Sequence, residues 1–232
     1  MLAALALVAG ISSAGADLIV RWEVISPQHY AARLERPVCP VCYKTPSGIT
    51  IGIGNDLGHT TLGIFEQVWQ GHPQRADLLP VIGLRGAEAQ RALPSVAHVR
   101  TPYALAWRVF ADIDLVNAWR ICRRAFGPMY ATAQQVVIDA LGSVCHNRGG
   151  AMGGPARVEM RAIRDVCLPA RDALCTARQI REMKRLWSDV GGLRDRRDSE
   201  AAYIERGLRH EQAYKQTSIR QNRLLREQEG CR

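Results

Sequence analysis

Apolar and polar positions alternate with period two along residues 47–59, SGITIGIGNDLGH. Ile49, Ile51 and Ile53 fall on one face, and Thr50, Gly52 and Gly54 on the other. This alternation predicts a β-strand with one apolar face. The glycines opposite leave room for something to approach the backbone closely. Asn55-Asp56-Leu57-Gly58 follows as a predicted turn.

Elsewhere the periodicity is helical. Residues 17–25 predict a helix with Asp17 as N-cap and Leu18, Ile19, Trp22 and Ile25 on one broad apolar face. Proline-rich residues 26–46 read as loop. A short helix surrounds Phe65, Val68 and Trp69, and another covers 85–100, interrupted by Pro94. Leu105, Val109, Ile113, Val116 and Ile121 recur at helical spacing and predict a helix over 103–126, with Trp107 and Trp119 as core. Val136, Val137, Ala140, Leu141, Val144 and Cys145 form the buried stripe of a helix over 131–145, with Gly149 and Gly150 placed to cap it. Helices over 165–172 and 176–186 flank Pro169, and a Gly-Gly break at 191–192 leads into a helix through Ala201 and Ala202. The tail beyond Gly207 is polar and reads as one solvated helix or a mobile end.

The first 16 residues carry no charge. Their apolar run and Ala14-Gly15-Ala16 suit an export signal with a small-x-small cleavage site, but the basic start of such a signal is missing. The rival reading is the opening of a buried helix. No run is long enough for a convincing membrane span.

Composition sharpens the picture. In 232 residues, 47% are apolar and 23% charged, a globular balance that excludes a disordered chain. The formal charge is +9, and residues 1–100 hold 8 basic and 7 acidic side chains, so the later part carries +8. An excess of that sign favours an anionic partner: nucleic acid, a membrane surface or an acidic polymer such as a cell wall. The 7 cysteines leave at least one unpaired within the chain. Cys39, Cys42, Cys122, Cys145, Cys167 and Cys175 are the disulfide candidates, with connectivity open, and Cys231 lies in the tail. Cys39-Pro-Val-Cys42 supplies half a zinc site with no second half. Nothing in the chain calls for a metal or an organic cofactor.

Glu23 is the first candidate for chemistry. A carboxyl beside Trp22 in an apolar segment has its charged form disfavoured, as a general acid requires; on the helix's solvent side it would be an ordinary surface glutamate. Asp56, at the end of the strand, is a second carboxylate in a more polar setting.

Three separated stretches together resemble the phage-type lysozymes, and within them the pesticin-like muramidase branch. They are RWE at 21–23 with SGITIGIGNDLGH at 47–59, QQVVIDALGSVCHNRG at 134–149, and MKRLW at 183–187 with GLRDRRDSEAA at 192–202. The resemblance spans roughly residues 17–205 and keeps the family's order. It implies an α+β, mainly helical, lysozyme-like fold: a small β-hairpin lobe (about 26–85), a linking helix (about 85–100) and a larger all-helical lobe (about 101–205), with residues 206–232 as a polar tail. It implies hydrolysis of the β-1,4 bond between N-acetylmuramic acid and N-acetylglucosamine in peptidoglycan. Glu23 falls on the family's catalytic glutamate, Thr50 on the threonine of its strand, and Asp56 on the second carboxylate of the pesticin-like branch. Lys44 stands where the other branch has its aspartate, Asn55 replaces a usual tyrosine, and His146 replaces a phenylalanine. Gly52, Gly54, Asn55, His146 and Asn147 are the expected substrate-binding residues.

The expected partners are bacterial peptidoglycan and an anionic wall or outer-membrane surface, met by a monomer without a transmembrane span. The expected location is the periplasm or outside the cell, by export or by phage release. Other readings are an inactive lysozyme-fold binding or structural module, a lytic transglycosylase or chitinase on the same fold, and a basic nucleic-acid-binding helical protein. The last has Arg194, Arg196 and Arg197 for phosphates but no base-reading companion, and it leaves Glu23 and the glycine strand unexplained.

Overall fold

The computed structural model describes residues 10–40, 42 and 45–229, with side chains up to residue 214 and at 216–217. The described residues are mainly helical with one small antiparallel sheet, and the chain divides into two units, residues 1–119 and 120–232. The first nine residues, Lys44 and Cys231 lie outside the described residues.

The first unit opens with α1 (Ser13–Val24), capped by Ser12, whose Oγ accepts from the Gly15 N–H at 3.1 Å. The helix therefore starts upstream of Asp17, the cap expected from sequence. Leu18, Ile19, Val20 and Val24 are buried, whereas Ile25 is 66% exposed and not on the apolar face. The physical reason is local: α1 stops at Val24 and the backbone reverses at Ile25, which has φ 67°. After α2 (Pro27–Arg33), the hairpin pairs β1 (Thr50–Ile51) with β2 (Asn55–Asp56), in the register Thr50 with Asp56 and Ile51 with Asn55.

The alternation thus holds for burial, since Ile49, Ile51 and Ile53 are all buried. The strand is shorter than the pattern suggests. The turn comes at Gly52–Gly54, where both glycines have positive φ, 61° and 78°, and Asn55-Asp56 is the returning strand, not the turn. A three-residue hairpin connection of this kind is steered by glycines that reach left-handed backbone. Around the hairpin lie α3 (Leu62–Val68), α4 (Arg75–Leu78) and α5 (Gly86–Ala92), then α6 (Tyr103–Val109).

One core cluster joins Ile19, Val20 and Val24 of α1 to Tyr30, Ile53, Ala106 and Phe110. A second gathers Ile49, Ile51, Leu57, Phe65, Trp69, Leu78, Ala89 and Val99. Segment 85–100 is not one helix: α5 gives way to a 3-10 turn, Leu93–Val96, in keeping with the missing N–H of Pro94. The long helical run is 103–126 instead, where α6 passes through a π-turn, Phe110–Asp114, into α7 (Leu115–Phe126). The boundary between the units falls inside α7.

The second unit continues with α8 (Pro128–Ala131) and α9 (Gln135–Arg148). Every residue from 137 to 145 is buried, so α9 is the unit's central helix, and it ends at Gly149 with φ 68°. A short α10 (Val158–Ala162) runs into a π-turn, Ile163–Cys167, which stands in place of the helix expected over 165–172; α11 (Ala173–Glu182) follows. The closing α12 (Gly191–Glu229) is 39 residues long, so the polar tail continues a helix. It lies so close to α9 that a Cβ on Gly207 would collide with the Val136 side chain.

The cysteines pair as Cys39–Cys42, Cys122–Cys145 and Cys167–Cys175. Such disulfides suggest an oxidising environment. No helix among the described residues is long and apolar enough to cross a membrane.

Candidate functional site

Glu23 occupies the last turn of α1 and is half-buried. Its Oε2 lies 3.6 Å from where a Cβ on Gly54 would stand. The two residues that sequence pattern singled out 31 positions apart are thus neighbours. The glycine at the tip of the hairpin leaves the carboxylate uncovered by a side chain from that position.

The other glycine of the turn has a different role. A Cβ on Gly52 would lie 2.8 Å from Cη2 of Trp69, which is buried. The space on that side is filled by the protein's own indole. Trp69 also ties down the tip, because its Nε1–H donates to Asn55 Oδ1 at 3.3 Å. The Asn55 side chain is therefore engaged within the unit. Thr50 is half-buried on β1, and its backbone exchanges hydrogen bonds with Val38 at 3.0 and 2.8 Å.

Asp56 holds the return of the hairpin. Its Oδ1 accepts from the N–H groups of Gly48 (2.9 Å) and Gly58 (2.8 Å), and its Oδ2 accepts from Ser47 Oγ at 2.6 Å. The Gly58 bond makes Asp56 the cap of the 3-10 turn Leu57–His59. Gly48 and Gly58 must both lack a side chain here, since a Cβ on either would come within 2.8 Å of the other's backbone. His59 Nε2 stands 3.8 Å from Oδ2. The carboxylate is thus fixed in place by donors on three sides, with its side chain 22% exposed. Cys39 and Cys42 adjoin the same segment, their sulfurs 3.6 and 3.1 Å from Gly48 O.

His146 and Asn147 belong to the second unit, in the last turn of α9, half-buried and exposed respectively. Asn147 Oδ1 accepts from Arg197 Nη2 at 3.3 Å. Arg197 leads to a buried charge cluster that the linear pattern did not announce. Glu200 Oε1 accepts from Ser143 Oγ (2.6 Å), Arg197 Nη2 (2.8 Å) and Arg196 Nε (3.3 Å). Complete burial pushes the Glu200 carboxyl up from its ordinary range, against the pull of Arg197 and Arg196. The signal was present as the i, i+3 and i, i+4 spacing of Arg197 and Arg196 to Glu200 in RRDSE, which on a helix brings them together.

The indole of Trp187 carries two guanidinium groups, those of Arg148 at 5.0 Å and Arg197 at 5.8 Å from its ring centre. Burial lowers Arg148 to about 10, with Arg157 and Arg197 adding repulsion. Ser47 and Trp69 are the other residues that sequence reasoning missed. Ser47 opens the glycine strand, and Trp69 reads as an ordinary core aromatic.

A cavity of about 230 Å³ in the second unit is lined by residues including Met129, Val137, Leu168, Arg171 and Thr176. Of the predicted residues only Cys167 touches it. Among the described residues no group of three or more His, Cys, Asp or Glu side chains could hold a metal ion. The first unit carries nine basic and nine acidic residues, and the second 22 basic against 13 acidic. No protein-family model matches this chain, and no curated protein matches it either.

Proposed function

We propose that the protein is a peptidoglycan muramidase of the phage-type lysozyme kind. The observation that carries this reading is the approach of Glu23 to Gly54 at the hairpin tip. A half-buried carboxyl stands at a helix end, its Oε2 3.6 Å from where a Cβ on Gly54 of the turn would lie. A glycosidic oxygen needs a general acid to protonate it, and Glu23 is the carboxyl that meets the glycine turn. Glu23 donates its proton to the leaving oxygen. Asp56, an immobile carboxylate, faces the oxocarbenium-like transition state or orients the attacking water. Thr50, its cross-strand partner, assists by hydrogen bonding. Hydrolysis in one step with inversion requires carboxyl groups about 6.5–9.5 Å apart. The second unit's charge draws the protein to anionic wall polymers.

One observation favours a second reading. The Asp56 carboxylate already accepts three hydrogen bonds within its own turn. A lytic transglycosylase, which transfers the glycosyl group within the sugar, does not need that second carboxylate for water. Digestion of purified peptidoglycan by the wild type and Glu23→Gln, with products weighed by mass spectrometry, decides. Reducing-end products that vanish in Glu23→Gln support the muramidase, and anhydro products support the transglycosylase. Undiminished lysis by Glu23→Gln removes Glu23 from either mechanism.

A further inference from the structure

The second unit has a concave pocket that the proposed chemistry does not use. It holds about 360 Å³ and is lined by Ile121, Arg124 and Ala125 of α7, Gly150 and Met152 of the loop after α9, and Arg164 of the π-turn after α10. One water needs roughly 10–15 Å³ of such space, so the pocket admits a much larger group. Its lining includes two guanidinium groups, from separate elements, and no carboxylate.

The loop that forms one wall is pinned. A Cβ on Gly150 would stand 2.9 Å from Ile121 Cγ2 and 3.2 Å from Ile121 O, so the loop lies against α7 only with glycine there. Arg161 Nη1 donates to Met152 O at 2.7 Å and to Gly154 O at 2.9 Å. Arg148 Nη2 donates to Ala156 O at 2.7 Å, and Arg157 Nη2 to Arg148 O at 2.8 Å. Four loop carbonyls are thereby taken by arginines other than the two of the pocket.

The surrounding charge is of one sign. α7 carries Arg120, Arg123 and Arg124 and no acid, and residues 149–157 carry Arg157 and no acid. On the third element, buried Glu159 is taken by Arg185 and Asp165 by Arg164. The Arg164 pair uses Nε and Nη2, at 2.6 and 2.9 Å, which leaves Nη1 for another acceptor. Arg124 is exposed and has no acidic partner among the described residues. Two cations at one pocket repel each other until an anion stands between them.

We propose that this pocket binds a phosphate group of a flexible anionic polymer, a polyol phosphate of a bacterial wall, with Arg124 and Arg164 each donating to its oxygens. Arg164 shows what one planar carboxylate takes, a single guanidinium fork; a tetrahedral phosphate presents oxygens to two forks at once. A chain can enter a pocket that a flat membrane surface cannot. Single-stranded nucleic acid calls for aromatic side chains to stack its bases, and none lines the pocket. The polymer's source rests on the wall-binding part of the proposed function; the binding itself is measured without catalysis.

The test is calorimetric titration of the purified full chain with polyglycerol phosphate at low salt. Arg124→Gln and Arg164→Gln should each bind about tenfold more weakly, and the double variant at least about thirtyfold. Arg91→Gln/Arg171→Gln removes the same charge from exposed positions elsewhere and should weaken binding less than about threefold. The pocket side chains lie at the surface, so melting temperatures should stay within about 2 °C of wild type. Arg124→Lys/Arg164→Lys, which keeps charge and fold but loses both forks, should bind about fivefold more weakly. Equal weakening by the pocket pair and the control pair overturns the proposal, as does wild-type affinity in the lysine pair or no binding by the wild type. Polygalacturonate bound as tightly as polyglycerol phosphate overturns the assignment to phosphate. Phosphatidylglycerol vesicles or duplex DNA, bound more tightly than the polymer and released by the pocket pair, overturn the assignment to a wall polymer. Failure of the muramidase reading looks different: the wild type binds polyglycerol phosphate through the two arginines but cleaves no peptidoglycan.

Discussion

Glu23 and Gly54 meet at the tip of the hairpin, with Oε2 of the glutamate 3.6 Å from the position a glycine Cβ would take. At 3.6 Å an added methyl makes ordinary van der Waals contact, so Gly54→Ala is penalised chiefly by its φ of 78°. That amounts to about 1–2 kcal/mol. Gly52→Ala meets the same backbone penalty plus a 2.8 Å clash with buried Trp69. It should lose about 2–4 kcal/mol. Urea unfolding gives both values. At a temperature where both variants are folded, Gly54→Ala should lose more peptidoglycan-cleaving activity, because only its methyl lies beside Glu23.

Asp56 is expected to matter for stability before it matters for chemistry. Asp56→Ala leaves Gly48 N–H, Gly58 N–H and Ser47 Oγ without their acceptor. The expected loss is about 2–4 kcal/mol, against about 1–2 for Asp56→Asn, which keeps one acceptor oxygen. If Asp56 is also the second carboxylate, Asp56→Asn cuts kcat at least a hundredfold while the protein stays folded. Wild-type kcat in that variant would leave Asp56 a turn-holding residue and favour the transglycosylase.

The buried cluster of the second unit should be intolerant of losing its acid. Glu200→Gln strands Arg196 and Arg197 in the interior, and both are less than 5% exposed. Removing one partner of a buried ion pair costs about 3–5 kcal/mol. Ser143→Ala, which deletes only the hydroxyl bonded to Oε1, should cost about 1–3 kcal/mol. Thermal unfolding of the two variants gives the order, and equal losses would refute it.

His72 makes the first unit acid-sensitive. Its Nδ1 accepts from the Gln74 N–H at 3.1 Å, so the neutral ring carries its proton on Nε2, 3.0 Å from Thr101 Oγ1. Burial pushes the imidazole below its ordinary value, while Asp77 pulls weakly upward. A ring whose folded pKa is depressed contributes stability above about pH 6.5, and this is lost as pH falls toward the folded value. Below pH 6.5 the wild type should lose up to about 1.4 kcal/mol per pH unit more than His72→Gln. Parallel stability–pH curves would contradict this.

With 22 basic and 13 acidic residues, the second unit predicts strong salt dependence on whole walls. Raising salt from low to physiological strength should slow wall lysis several-fold and cleavage of a neutral soluble oligosaccharide much less. Equal slowing on both substrates would separate the charge from wall binding.

Local periodicity specifies which residues are buried more firmly than where elements begin and end. Period-two isoleucines identified the buried face of the hairpin, and helical spacing identified α9, because burial follows local periodicity whatever the partner. Motif and spacing singled out Glu23, Thr50 and Asp56, and the fold sets Glu23 beside Gly54 and pairs Thr50 with Asp56. The turn could not be placed from pattern alone, since Gly52, Gly54 and Asn55-Asp56 all have turn chemistry. Only the cross-strand register chose Gly52–Gly54.

Tertiary structure alone decided what each glycine makes room for: Trp69 at Gly52 and Glu23 at Gly54. It decided that the Asp56 carboxylate is engaged by Ser47 and two backbone amides. It also decided that Ile25 leaves the apolar face of α1, and that Glu200 is sealed with two arginines. These are contacts between positions distant in the chain, or backbone reversals imposed by packing. Local propensity carries no information about the atom that arrives from elsewhere.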